Sequence, residues 1–414
     1  MPGGDRLDMG KAMTATANSP TASSAIAGDQ QDRLPLMALM GLFFAGFVGV
    51  LTEVLPAGLL PEMSRTLHSS IAATGQTVTL YAVATALAAI PLNRLTSTWT
   101  RKSVVQVALL TVAVANLLTG LSSNYWLTLA TRVLAGLSTA LLWPSLAGYA
   151  ARLSPGGKQG LAITIAMAGI PVSLALGIPL ATAVTSFTGW QVAFYGSAVL
   201  TVLVMLWMYL TLPNLPGLPP DQRHKFSQVL VMPGVRVILL TLAGFMVAHY
   251  MMYTYITDFL NLLGMRSQTG WVLFVFGVTS VLSVFVVGKF IDRHLRQLVV
   301  ATTVLLAVVA LVMAVITGLP VVVYIAAATW GLVYGSSATL FMASIIKASG
   351  PAAQVGQSMV TLVFSISIAL GGLFGGVVVD MLGTRSIMWV ALALLVAASL
   401  LAVGGKKHAF PAAE

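Results

Sequence analysis

The chain is expected to be an all-α membrane protein, twelve transmembrane helices in two six-helix pseudo-repeat bundles, and three observations carry that expectation. First, 58% of its 414 residues are hydrophobic and only 8% charged, with mean hydropathy +0.94; soluble proteins carry roughly 25% charged residues. Second, apolar stretches of spanning length, about 20 residues, recur along the chain. Third, the basic residues fall on alternate connections. With the amino terminus inside, seventeen lysines and arginines lie in cytoplasmic segments, against Arg65, Arg266 and Arg385 outside and Arg132 within a span. That bias orients the chain with both termini cytoplasmic and requires an even number of crossings.

Taken in order, residues 1–33 are rich in Ala, Ser, Thr, Gly and Asp. They lack the apolar run of a secretory signal and read as a disordered cytoplasmic tail. The first bundle, 34–212, holds spans at approximately 35–59, 71–93, 103–121, 125–150, 160–185 and 190–212. A linker at 213–234 follows, with five prolines between Pro213 and Pro233 and the charged run Asp221 to Lys225. The second bundle, 235–404, holds spans at about 235–260, 269–291, 297–317, 320–346, 354–379 and 386–404, and a short cytoplasmic tail, 405–414, ends the chain. The bundles echo one another: Asn93 to Lys102 after the second span answers Gly288 to Gln297 after the eighth, and Gly189 answers Gly383. Both offsets are near 195 residues, as a duplicated unit requires.

Several functions are set aside by what the chain contains. It has no cysteine, so thiolate chemistry and Cys-based metal sites are ruled out. The pI near 10 follows from loop lysines and arginines that set topology, so no nucleic-acid partner is expected. No Walker loop, no His-Glu-x-x-His and no long soluble insertion appears. An enzyme is not expected, nor any cofactor or metal.

The first span carries one carboxylate, Glu53. An ionised acid at mid-bilayer costs roughly 2.5–3.5 kcal/mol, so its presence there calls for a use. At ~100° per residue Leu42, Gly46, Gly49 and Glu53 share one stripe, nearly free of side chains. Such a face either admits a neighbouring helix or leaves room for water and a ligand. At ~1.5 Å per residue, Glu53, Arg132 and His249 come to a shared layer about 20–25 Å above the inner boundary. Three ionisable groups there can take up and pass on a proton.

The seventh span adds a pocket. His249, Tyr250, Tyr253, Thr254, Thr257 and Asp258 occupy one half of its circumference. Lipid offers these groups no partners, so that half should face a wet cavity. Asn116, Gln76, Trp330, Tyr334 and Gln357 are further polar or aromatic residues within spans that would complete a site for a sugar or nucleoside. Each has a structural alternative: a helix-tying arginine, a packing histidine, tyrosines of a core or interfacial belt, and Gly-Pro elements that only bend the fifth helix.

The loop Gly288-Lys289-Phe290-Ile291-Asp292-Arg293-His294-Leu295-Arg296 resembles the inter-helix motif of the major facilitator superfamily. The first-half copy keeps Arg101 and Lys102 but has Asn93 for the glycine and Ser97 for the aspartate. Arg132-Val133-Leu134-Ala135-Gly136 is similar to the superfamily's fourth-helix arginine motif. Gly169-Ile170-Pro171 with Gly177-Ile178-Pro179 resembles a degenerate fifth-helix antiporter motif. Thr52-Glu53 leading into Gly58-Leu59-Leu60-Pro61, with Ala248-His249-Tyr250 before Tyr253-Thr254-Tyr255-Ile256, looks like the bacterial drug:proton antiporter branch, most of all its sugar efflux members. The resemblance implies a monomeric secondary transporter of the inner membrane, exporting a small polar solute against protons. Glu53, His249 and Arg132 would couple the proton, and Asp292, Arg293, Arg101 and Lys102 would gate. A drug or purine nucleoside exporter, or an uncoupled facilitator, is the alternative.

Overall fold

The structure is a computed structural model describing residues 34–155, 157–217, 224–315, 319–406 and 409–410. The expected amino-terminal tail 1–33, the linker residues Asp221 to Arg223 and the last four residues lie outside them.

Among the described residues every regular element is helical: α1 (Leu36–Thr66), α2 (Ile71–Leu95), α3 (Arg101–Leu121), α4 (Tyr125–Leu153), α5 (Gln159–Met167), α6 (Gly169–Val172), α7 (Ile178–Thr188), α8 (Trp190–Thr211), α9 (Phe226–Leu230), α10 (Val235–Thr254), α11 (Ile256–Leu262), α12 (Thr269–Val315), α13 (Pro320–Tyr334), α14 (Ser337–Ser349), α15 (Ala353–Leu382) and α16 (Ser386–Gly404). Starts follow side-chain capping: Ser70, Thr100 and Asn124 accept from the amides of Ala73, Ser103 and Leu127. Gly189 and Gly383, paired by the internal echo, hold φ of 93° and 81° at the α7–α8 and α15–α16 turns, a region that side chains with a Cβ avoid.

Among the described residues ten stretches are long and apolar enough to cross a membrane, two of them 50 and 63 residues long. At about 1.5 Å per residue such lengths exceed one 30 Å crossing. The longer helices are interrupted. α12 runs through the expected loop and breaks at His294 (φ −128°, ψ 26°), because the segment there lacks the glycine or proline that would end a helix. The fifth span is divided among α5, α6, a π turn at Ser173–Gly177 and α7. The seventh breaks at Tyr255 (φ −105°, ψ 15°). A further break at Gly335 and Ser336 separates α13 from α14. The linker also holds a helix, α9, where sequence suggested an irregular segment.

Small residues set the closest packing. A Cβ on Gly136 would stand 2.4 Å from the Tyr81 carbonyl oxygen, and one on Gly331 2.1 Å from that of Phe276. Backbones at α2–α4 and α12–α13 therefore touch, the usual device where lipid gives no hydrophobic drive to association. The outer surface is apolar, with Phe187, Leu210 and Leu87 at 90, 82 and 73% exposure. A hydrocarbon solvent accommodates such residues.

Prolines inside helices leave carbonyls without their own donor, since proline has no N–H to offer the residue four before it, and at two of them another helix makes up the loss. Pro56 in α1 does this to Thr52, and Pro144 in α4 does it to Ala140. Other helices supply the missing protons. Arg132 Nη1 donates to the Thr52 carbonyl at 2.8 Å, and Asn93 Nδ2 donates to the Ala140 carbonyl at 2.9 Å. Asn93 is the residue found where the family motif has glycine, and this contact accounts for a side chain there.

Candidate functional site

A cavity lies where α1, α4, α5, α6, α10, α13, α14 and α15 converge, with about 680 Å³ of empty space in and around its open mouth. The lone acid among the described residues of its wall is Glu53, on α1 three residues before Pro56. Tyr250 of α10 and Tyr334 of α13 face the same space, their hydroxyls 3.4 Å apart. Trp143 of α4 and Phe364 of α15 add aromatic faces, and Thr361 and Ser365 add hydroxyls. The remaining ten of the sixteen wall residues other than Glu53, Tyr250, Tyr334, Trp143, Thr361 and Ser365 are aliphatic, methionine or Phe364. A single carboxylate in an apolar, aromatic wall can exchange a proton and can accept hydrogen bonds from a solute's hydroxyl or amine.

His249 stands one layer behind this wall. It is 1% exposed, its ring stacks on Tyr334 at 3.6 Å between centroids and 10° between planes, and Trp330 Nε1 donates to its Nδ1 at 2.9 Å. Accepting at Nδ1 places the ring proton of the neutral imidazole on Nε2. Tyr253 and Phe276 stack on the same ring, so His249, Trp330, Tyr334, Tyr253 and Phe276 form one aromatic box. The box fixes the orientation in which Tyr334 meets the cavity.

Arg132 is fully buried, and its donors go to the Thr52 carbonyl, to Asn116 Oδ1 at 3.1 Å and to Thr119 Oγ1 at 3.3 Å. Its guanidinium also lies 5.2 Å over the Phe194 ring. Asn116 in turn donates to Thr52 Oγ1 at 2.8 Å and Ser197 Oγ at 3.1 Å. Arg132 and Asn116 thus join α1, α3, α4 and α8 within the protein interior. Arg132 contacts the backbone of Thr52, the neighbour of Glu53, and Tyr81 lies within electrostatic reach of both side chains.

The other expected residues are placed elsewhere. Gln76 is exposed on α2 and stands apart from the cavity wall. Gln357 is 3% exposed, at the end of the bundle where α3 begins and α4 ends. Two polar residues in separate spans need not share a cavity, because each can satisfy itself against the nearest helix. Among the expected gating residues, Asp292 accepts from the amides of Gly160 at 2.5 Å and Leu161 at 3.1 Å, at the start of α5. Arg293 is exposed. Arg101 donates to the Ser97 carbonyl, and Lys102 sits 4.7 Å over the Tyr209 ring.

Trp143, Thr361, Ser365 and Phe364 were not singled out from sequence. For Thr361 and Ser365 a signal exists: with Gln357 they recur every four residues in an otherwise apolar helix, a polar stripe along α15. Tyr81 was also missed. It is 1% exposed, and its hydroxyl lies within interaction range of Glu53, Thr139 and Arg132.

An all-helical bundle of membrane-spanning length with a cavity between its helices has the architecture of a membrane transport protein. The chain belongs to the Major Facilitator Superfamily, whose family model matches residues 42–356 and 266–409. It is therefore a transporter and not an enzyme. Relatives include a probable sugar efflux transporter of Helicobacter pylori strain J99, 24% identical over 364 residues, covering 87% of this chain and 93% of that one. A transcription regulatory protein, OpdE, of Pseudomonas aeruginosa is likewise 24% identical, over 382 residues, covering 90% and 94%. Among solved structures, the transporter FucP in its outward conformation aligns with TM-score 0.76 at 14% identity, over 91% of this chain and all of that one. The human organic anion transporter MFSD10 aligns at 0.72 and 15%, over 90% and 99%. At these identities the two structures speak to the fold.

Proposed function

We propose that this protein exports a small polar solute, a sugar in the first reading, in exchange for protons, by alternating access to the central cavity. The observation that carries the reading is Glu53, the one carboxylate among the described residues of the cavity wall, facing the hydroxyls of Tyr250 and Tyr334. A carboxylate that is neutral when it binds a proton and charged when it releases one gives the cavity two states, and a hydroxylated solute can bind to the deprotonated one. The name of the Helicobacter relative supports sugar efflux.

In this reading the chain makes twelve crossings in two six-helix bundles, 34–212 and 235–404. The 50- and 63-residue stretches are each two crossings, the termini are cytoplasmic, and the protein works as a monomer in the inner membrane. Glu53 carries the proton, Arg132 and Asn116 position its turn, and His249 with Trp330 positions Tyr334. Asp292, Arg293, Arg101 and Lys102 act at the cytoplasmic end.

The mostly apolar wall favours a second reading, in which the solute is a less polar drug or a purine nucleoside moved by the same cycle. A panel of labelled sugars, nucleosides and drugs tested for efflux from proteoliposomes, with and without a pH gradient, separates the two. Uphill movement of a sugar driven by the gradient establishes the first reading. Uphill movement of only nucleosides or drugs establishes the second, and transport indifferent to pH and voltage abolishes proton coupling.

A further inference from the structure

We infer that the Gln357 side-chain amide is a latch that closes the end of the bundle where α3 begins and α4 ends, by docking against one rung of the α4 hydrogen-bond ladder and leaving it when that end opens. The inference rests on the alternating-access reading above. Gln357 lies on α15 of the second set of helices, and the rung lies on α4 of the first, so the contact must break if the two sets separate here.

Oriented so that both ends are satisfied, the amide donates to the Pro144 carbonyl at 3.1 Å and accepts from the Gly148 N–H at 3.0 Å. These two backbone groups are four residues apart, so they are also each other's partners in a regular helix. That gives the contact its reversible character. When Gln357 withdraws, the Gly148 N–H and the Pro144 carbonyl still have one another, and no buried backbone group is orphaned. The amide itself moves into the wide vestibule that Gln357 lines together with Tyr149, Arg152 and Gln159, where water satisfies it.

Two neighbours make the fit specific. A Cβ on residue 148 would stand 2.9 Å from the Gln357 amide, so glycine is what lets the side chain approach. Pro144 removes one rung immediately before this one, and Asn93 fills that gap from α2. The carbonyl of Asn93 in turn accepts from Gln354 Nε2 of α15 at 3.1 Å. One face of α15 thus reads, through two glutamines three residues apart, the weakened stretch of α4 and the residue that repairs it.

The natural chain has no cysteine, so a spin-label pair can be introduced directly at Arg94→Cys on α2 and Lys347→Cys on α14, both exposed at this end. Pulsed electron spin resonance then measures the distance distribution in proteoliposomes. Gln357→Leu is expected to raise the ratio of long-distance to short-distance population roughly fivefold, the change associated with about one net hydrogen bond. Gly148→Ala should do the same by displacing the amide, although alanine strengthens the helix itself, so a poorly folded variant cannot mimic it. Combined, the two should give no more than either alone. Two populations in the parent pair that both variants leave unchanged would overturn the latch while leaving alternating access standing. A single population in the parent and in both variants would overturn both.

Discussion

Replacing Arg132 by methionine tests whether this arginine holds the first helix together or serves transport directly. Methionine fills similar space but offers no donor, so the Thr52 carbonyl and Asn116 Oδ1 lose their 2.8 and 3.1 Å bonds. Thr119 Oγ1 keeps Thr131 and the Ala115 carbonyl, so two buried acceptors are orphaned, not three. At about 1–3 kcal/mol for each unsatisfied group, the loss is ~2–6 kcal/mol, toward the lower end because polar contacts within membranes average near 0.6 kcal/mol. Unfolding in mixed detergent–dodecyl sulfate micelles measures it. The decisive partner is Pro56→Ala, which gives residue 56 an N–H four residues after Thr52 and restores the internal rung. The double variant should recover about half of the loss. A loss below ~0.5 kcal/mol for Arg132→Met, or no recovery on adding Pro56→Ala, would refute the claim that Arg132 completes the α1 ladder.

Glu53→Gln keeps the volume and mimics the protonated acid, so solute affinity should fall and lose its pH dependence while gradient-driven efflux drops to the passive rate in a proteoliposome assay. His249→Ala removes the ring stacked at 3.6 Å on Tyr334 and the acceptor of Trp330; with aromatic pairs worth ~0.5–1.5 kcal/mol, solute affinity measured by calorimetry should weaken several-fold while exchange remains. Gly331→Val would place side-chain atoms where the Phe276 carbonyl already stands, and overpacking should cost at least ~1–3 kcal/mol in the same micelle unfolding assay. If the transporter exchanges a neutral solute for a proton, an inside-negative potassium diffusion potential should speed export at fixed pH, since one charge moving through 100 mV is worth ~2.3 kcal/mol.

Spanning segments were legible because a run of about 20 apolar residues has few alternatives. Helix ends were less so: α12 crosses the expected loop at His294 and the break at Tyr255 comes within an expected span, since neither place carries a glycine or proline to mark it. Glu53, Tyr250 and Tyr334 were found from sequence as costly groups within lipid-length helices, and the structure brings them to one cavity. The same reasoning also selected Asn116, Gln76 and Gln357, which stand elsewhere. A hydrophobicity pattern says that a polar group needs a partner and is silent on which helix supplies it. One pairing was readable in principle. A proline at 56 announces an unpaired carbonyl at Thr52, and a buried arginine four spans' length of chain away is a fitting donor.

The borrowed donors at the two prolines bear on how the chain is made. α1 enters the bilayer first, with the Thr52 carbonyl lacking the proton that Arg132 provides 80 residues later. Until the ribosome has delivered α4, that carbonyl faces either hydrocarbon or the hydrated interior of the insertion machinery, and only the second is tolerable. The Ala140 carbonyl has the opposite history, for its donor Asn93 is already in place when α4 arrives. The hydrogen-bond ladder of α1 is thus completed only once α4 has been made, whereas that of α4 can be completed on its arrival.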